Sequence, residues 1–124
     1  MLVDTDIWID YLRGNPQAQE WIERHVANLF ISAVSVAELY QGVRDGKEKS
    51  RLAKTLSATT VLPLTEEIAE MAGLYRRDFR PSTGCGLADC MIAATAAYHG
   101  LEMATLNARH FKMIESVVTP YEKT

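Results

Sequence analysis

Short apolar runs alternate with amphipathic segments along the whole chain, which predicts an α/β domain with a parallel sheet covered by helices on both faces. Two further observations support that reading. From Leu87 to Tyr98 the chain runs LADCMIAATAAY, apolar or small on nearly every side, and a helix hydrophobic all round is a buried helix. Polar residues also collect where the strand-like runs end. Asp4 and Asp6 follow the first, Ser35 and Glu38 the second, and Thr105 and Asn107 the fourth, while Asp89 opens the helix that feeds that fourth run. In open α/β sheets ligands bind beyond the carboxyl ends of the strands.

Taken in order, residues 1–4 (MLVD) form a very short strand ending in Asp4. A first helix follows, with Ile7, Tyr11 and Trp8 inward, and Gly14 ends it. Asn15-Pro16 is a cap with proline in the first helical position, opening a second helix to about Val26. LFISAV (29–34) is the second strand, and Ser35 starts a third helix whose apolar face is Val36, Leu39, Tyr40 and Val43. Gly42 and Gly46 loosen its end. Residues 47–56 are a charged helix, and TVLPL (60–64) is a third strand in which Pro63 marks an edge position. Thr65 caps a fifth helix, with Glu66 and Glu67 in its first turn, Arg76 and Arg77 in its last, and Ile68, Met71, Ala72, Tyr75 and Phe79 along its core stripe. RPSTGCG (80–86) reads as a loop. The buried helix comes next, then LEMATL as the fourth strand and SVVTPY (116–121) as a fifth, edge strand. No repeat, linker or low-complexity tract interrupts the series, so residues 1–124 are expected to form one domain.

With 124 residues, 48% of them hydrophobic and 23% charged, the chain has ordinary globular composition and length for one core. A formal charge of −3 argues against a general nucleic-acid coat protein. It leaves room for an enzyme that grips nucleic acid locally and carries acids in a cleft. Cys85 and Cys90 lack a C-x-x-C spacing and suggest reduced thiols in a cytoplasmic protein. With His99 and His110 they do not have the spacing of a zinc site. No apolar run approaches membrane-spanning length and no signal peptide precedes Asp4.

Each candidate residue has a plainer alternative. Asp89 is the only charged residue of an apolar helix, with no Lys or Arg within helical reach. A buried carboxylate is costly unless a cation meets it, so the cation comes from elsewhere in the fold or is a metal ion. Glu38 stands three residues after Ser35, the spacing of a capping box. Asp4 could merely cap the first helix, Asp6 is a helix-dipole or supporting group, and Asn107 could be a turn residue. His110 reads as a surface or packing histidine. Arg44, Lys47, Lys49, Arg51 and Lys54, interleaved with Asp45 and Glu48, read as a solvated face, with a phosphate-gripping edge as the alternative. Jointly, acidic and amide side chains at one sheet edge without a matching basic cluster resemble an oxygen-ligand site for a hard divalent cation.

With those residues placed, the chain resembles the PIN-domain family, and within it the VapC-type toxin ribonucleases. The segments that carry the resemblance are MLVDTDIWIDYLRG, SAVSVAELYQGV, LADCMIAATA and TLNARHF. The resemblance implies a three-layer fold with strand order 3-2-1-4-5. It also implies an endoribonuclease dependent on Mg²⁺ or Mn²⁺, which leaves a 5′-phosphate and a 3′-hydroxyl, and which a cognate antitoxin holds inactive. Asp4, Glu38 and Asp89 match the three metal-binding acids. Asn107 occupies the fourth position, where relatives often have Asp, and an amide is a weaker ligand for a second ion. Asp6 stands where relatives often have Asn or Ser, and Thr5, Ser35 and Thr105 match supporting positions. The expected partners are RNA, an antitoxin and a second copy of the chain, with no membrane. Two rivals use the same residues differently. LVDTD resembles the D-x-D motif of haloacid-dehalogenase-type phosphatases, but TLN at 105–107 supplies no acidic pair after the late strand. A metal-free, non-catalytic binding module is the other.

Overall fold

The computed structural model describes residues 1–122. Its five-stranded sheet has the order β3-β2-β1-β4-β5, with every neighbouring pair parallel. The strands are β1 (Leu2–Val3), β2 (Phe30–Ser32), β3 (Thr60–Leu62), β4 (Met103–Ala104) and β5 (Val117–Val118). Leu2 is paired with Phe30 on one side and Met103 on the other, so β1 is the centre of the sheet. The helices are α1 (Thr5–Leu12), α2 (Pro16–His25), α3 (Ala33–Gln41), α4 (Lys47–Ser57), α5 (Glu66–Thr83) and α6 (Leu87–Tyr98).

Alternation along the strands sends side chains to the two faces. Val3, Ile31 and Ala104 join Ile7, Trp8, Ile22, Leu39 and Leu52 beneath α1 to α4. Leu2 and Met103 join Ile92, Ala93, Ala96, Phe111 and Ile114 beneath α6. Helix α5 covers α6 through Ile68, Ala72, Cys90 and Ala94. The three layers and the strand order are those expected from the sequence.

Four local differences have physical causes. Strand β2 stops at Ser32, whose side chain accepts from the Val34 amide at 3.1 Å and caps α3 three residues before the expected Ser35. Ser35 therefore lies inside the helix, and the capping-box reading of Ser35 and Glu38 falls. Tyr40, expected on the apolar face of α3, is exposed. Helix α5 continues through Pro81 to Thr83, so most of the expected 80–86 loop is helical. The Ser82 and Thr83 hydroxyls donate to the Phe79 carbonyl, and Gly84, at φ +69°, closes the end with its amide on the Arg80 carbonyl. A left-handed residue after the last turn is the usual helix stop. Finally, Ala108–Phe111 forms a 3-10 turn where no element was expected.

Candidate active site

Strand β1 ends by delivering Asp4 to the carboxyl edge, in extended backbone at the entry of α1. The residue is buried, with 6% of its surface exposed. One carboxylate oxygen accepts from the Thr5 amide at 2.8 Å and the other from the Thr105 hydroxyl at 2.7 Å. Helix capping and a site role thus coexist in one side chain. Its carboxyl is pushed up to about 7, first by burial, then by the charge of Asp6, with Asp89 adding in the same direction. The two hydrogen bonds oppose that rise without cancelling it. Near neutral pH the metal-free site therefore carries more negative charge than its surroundings accommodate.

Behind Asp4, α1 and α3 are tied by hydroxyls. Thr5 Oγ1 donates to Glu38 Oε1 at 2.7 Å and lies 2.8 Å from the buried Ser35 Oγ. One proton cannot serve both, so Ser35 donates into Thr5 while Thr5 donates to Glu38. Glu38 itself is exposed, off the core side of α3. On the other flank, Asp6 accepts from the Leu106 amide at 3.2 Å. The Asn107 amide donates to Thr105 Oγ1 at 3.0 Å, and that hydroxyl in turn serves Asp4. The Asn107 side chain is on the surface, and its backbone is what joins it to this chain of bonds.

Asp89 lies in the first turn of α6, where the helix dipole favours an acid, but it is not deeply buried. Its side chain is 31% exposed, and its Oδ2 is 3.3 Å from Nδ1 of His110. The acid carried by the apolar helix thus faces a half-buried imidazole. His110 sits in the 3-10 turn after β4, which topology places beside the start of α6. Sequence reasoning gave it as a surface or packing histidine and did not pair it with Asp89. Its signal in the sequence was its place in TLNARHF, three residues past Asn107 and beyond the run that ends in Thr105.

The donors at this edge are carboxylate oxygens backed by hydroxyls, a set that suits Mg²⁺ or Mn²⁺ rather than a soft metal. The raised Asp4 carboxyl, with like charges around it, is the electrostatic condition that a bound cation relieves. Among the described residues, no three His, Cys, Asp or Glu side chains already converge as a metal cage. An ion shared by Asp4, Glu38 and Asp89 therefore requires at least one carboxylate to turn toward the others. From Glu38 a cleft of about 510 Å³ opens between α1, α3 and α4, lined also by Arg13, Arg44, Lys47 and Arg51. Arg51 is pinned there, its guanidinium donating to the Leu12 carbonyl at 3.0 Å and lying 5.9 Å from the Tyr11 ring centre.

No helix among the described residues is long and apolar enough to cross a membrane. The family model of the PIN domain matches residues 1–115. Ribonuclease VapC10 of Mycobacterium tuberculosis is 42% identical over 124 residues, covering 98% of this chain and 92% of its own. A toxin-antitoxin complex from Klebsiella pneumoniae superposes with a TM-score of 0.85 at 32% identity, covering 98% of each chain. FitAcB from Neisseria gonorrhoeae superposes with a TM-score of 0.76 at 29% identity, covering 96% of each. These matches displace the phosphatase reading of LVDTD, since the same Asp4 motif now sits in a matched domain of another kind. With its strand order, its layers and the near full-length match, the chain belongs to the PIN-domain family, among the VapC-type proteins.

Proposed function

We propose that the chain is an endoribonuclease that hydrolyses RNA phosphodiesters with Mg²⁺ or Mn²⁺, and that it acts as the toxin of a toxin–antitoxin pair. The observation that carries this reading is Asp4: held at both oxygens, and still driven toward protonation, first by its burial and then by neighbouring acids. Nothing in a purely structural role requires three acids to share one sheet edge at that cost. Relatives named as VapC ribonucleases and solved toxin-antitoxin complexes support the same activity and the same class of partner.

In this reading Asp4 and Asp89 hold the ion, and Glu38 binds it or orients water. The chemistry supplied by such an ion is neutralisation of phosphate charge and a lower pKa for the attacking water. The chain's own residues set the geometry. Thr105 fixes one Asp4 oxygen, and Thr5, supported by Ser35, fixes Glu38. His110 holds Asp89 Oδ2 and so orients the carboxylate. Asn107 stands at the rim to position a phosphate, a water or a second ion. Water attacks in line, the 3′-oxygen leaves, and the products carry a 5′-phosphate and a 3′-hydroxyl. The basic cleft running from Glu38 takes the RNA backbone on one side of the cut.

The test is cleavage of total cellular RNA by the purified chain with Mn²⁺, with EDTA, and by the Asp4→Asn variant. Fragments with 5′-phosphates only in the wild-type Mn²⁺ lane are the expected result. Equal cleavage in EDTA, or full activity of Asp4→Asn, would overturn the metal-dependent reading.

A further inference from the structure

A second concentration of positive charge lies on the opposite flank of the site. Arg76, Arg77 and Arg80 line a groove of about 390 Å³ with Gly73, Pro81 and Leu87. Arg77 is engaged by its neighbour Asp78 at 2.8 Å. Arg76 and Arg80, one helical turn apart on α5, have no carboxylate partner among the described residues. The Nε of Arg76 is buried with no hydrogen-bond partner, an uncommon state for a buried donor, so it is the outer nitrogens of this guanidinium that can meet an acceptor from outside. Gly73 leaves the wall of the groove open, since no atom lies within 4 Å of where its Cβ would stand. Two fork-shaped guanidinium groups without internal partners, in a chain of net charge −3, match the geometry of phosphate oxygens.

The groove adjoins the acids. Leu87, on its rim and 46% exposed, is the first residue of α6, two positions before Asp89. We propose that this groove is a subsite for a backbone phosphate of the bound RNA next to the scissile one, with Arg76 and Arg80 as its ligands and Leu87 as an apolar seat for the adjoining base. The proposal rests on the ribonuclease reading above. It gives the RNA a path from the cleft at Glu38, across Asp4 and Asp89, to the arginines of α5.

Binding of fluorescent single-stranded oligouridylate is measured by anisotropy in EDTA over a salt series, for wild type, Arg80→Ala and Arg76→Lys. Arg80 is exposed, so its truncation leaves the core intact. The expected result for Arg80→Ala is a Kd raised roughly threefold to tenfold, with the salt slope lowered by about 0.7, the loss of one phosphate contact on a single strand. Arg76→Lys keeps the charge but loses the fork, so it weakens binding while the slope holds. Oligouridylate shortened until it no longer reaches the groove binds wild type and Arg80→Ala equally. Unchanged Kd and slope in Arg80→Ala, while wild type still cleaves RNA with Mn²⁺, overturns the subsite and leaves the ribonuclease reading intact. Wild type that neither binds nor cleaves RNA overturns both. If light scattering shows that Arg80→Ala alters the oligomeric state in step with the lost binding, the groove belongs to self-association instead.

Discussion

Asp4 carries the largest electrostatic consequence of any single residue. Its folded carboxyl stands at about 7 against an ordinary 3.8, so the folded chain holds a proton that the unfolded chain releases. Stability from this group is therefore lost as pH rises from about 4 to 7. A shift of this size corresponds to at most about 4 kcal/mol, less after side-chain relaxation. Melting in EDTA is expected at higher temperature near pH 5 than near pH 8, with Asp4→Asn removing most of the difference. A wild-type profile flat across that window would mean that Asp4 is compensated by donors in the fold. Asn107 gives a second prediction. Asn107→Asp adds a charged oxygen ligand at the rim and should tighten Mn²⁺ binding by calorimetry, whereas unchanged affinity and stoichiometry would place the side chain outside the ion's reach. Asp4 was legible in the sequence because a strand ended on it. The His110 contact was not, because it pairs residues 89 and 110 across two elements and no local spacing encodes it.

At the scale of elements, the hydroxyl link between α1 and α3 is the most exacting feature. Thr5→Val removes the donor to Glu38 and leaves the buried Ser35 hydroxyl without its acceptor. An unsatisfied buried hydroxyl costs about 1–3 kcal/mol. The variant should melt lower than wild type and cleave RNA more slowly, and a variant with unchanged melting and rate would make the link incidental. At the end of α5, Gly84 holds φ +69° with open space around it. Gly84→Ala should cost about 1 kcal/mol through backbone strain alone, read as a lower urea midpoint with an unchanged m-value. The same helix shows where sequence legibility ended. Pro81 reads as a stop because it lacks an amide and crowds the preceding turn. The amide that Pro81 lacks would have served the Arg77 carbonyl, and the helix tolerates that one loss; beyond it the Ser82 and Thr83 hydroxyls bond the Phe79 carbonyl and Gly84 closes the last turn on Arg80. Ser32 displaced Ser35 as the cap for a similar reason. Both fit the rule that serine before a helix accepts from its first turn, and only the packing of β2 decides between them.

For the whole molecule, alternation of strands and helices made a parallel sheet legible, while the order of its strands was legible only through the family resemblance. It also fixes the site. Placing β1 between β2 and β4 brings Asp4, Glu38 and Thr105 to one edge although they lie far apart in the chain. A homodimer is a further expectation at this scale, and a strictly monomeric mass by light scattering across micromolar concentrations would contradict it. The central claim is that the acids of this edge jointly hold a divalent ion. The Mn²⁺-induced shift in melting temperature, compared between wild type and Asp89→Asn, tests it most directly. Asp89 is half-buried and pairs with one histidine, so in EDTA the variant should melt within a few degrees of wild type, the effect of about 1 kcal/mol or less. At a hundredfold excess of Mn²⁺ over Kd, linkage adds roughly 2.7 kcal/mol to wild type, an upward shift of several degrees, and the variant should gain much less. Equal shifts in the two proteins would contradict the account, since Asp89 would then take no part in holding the ion.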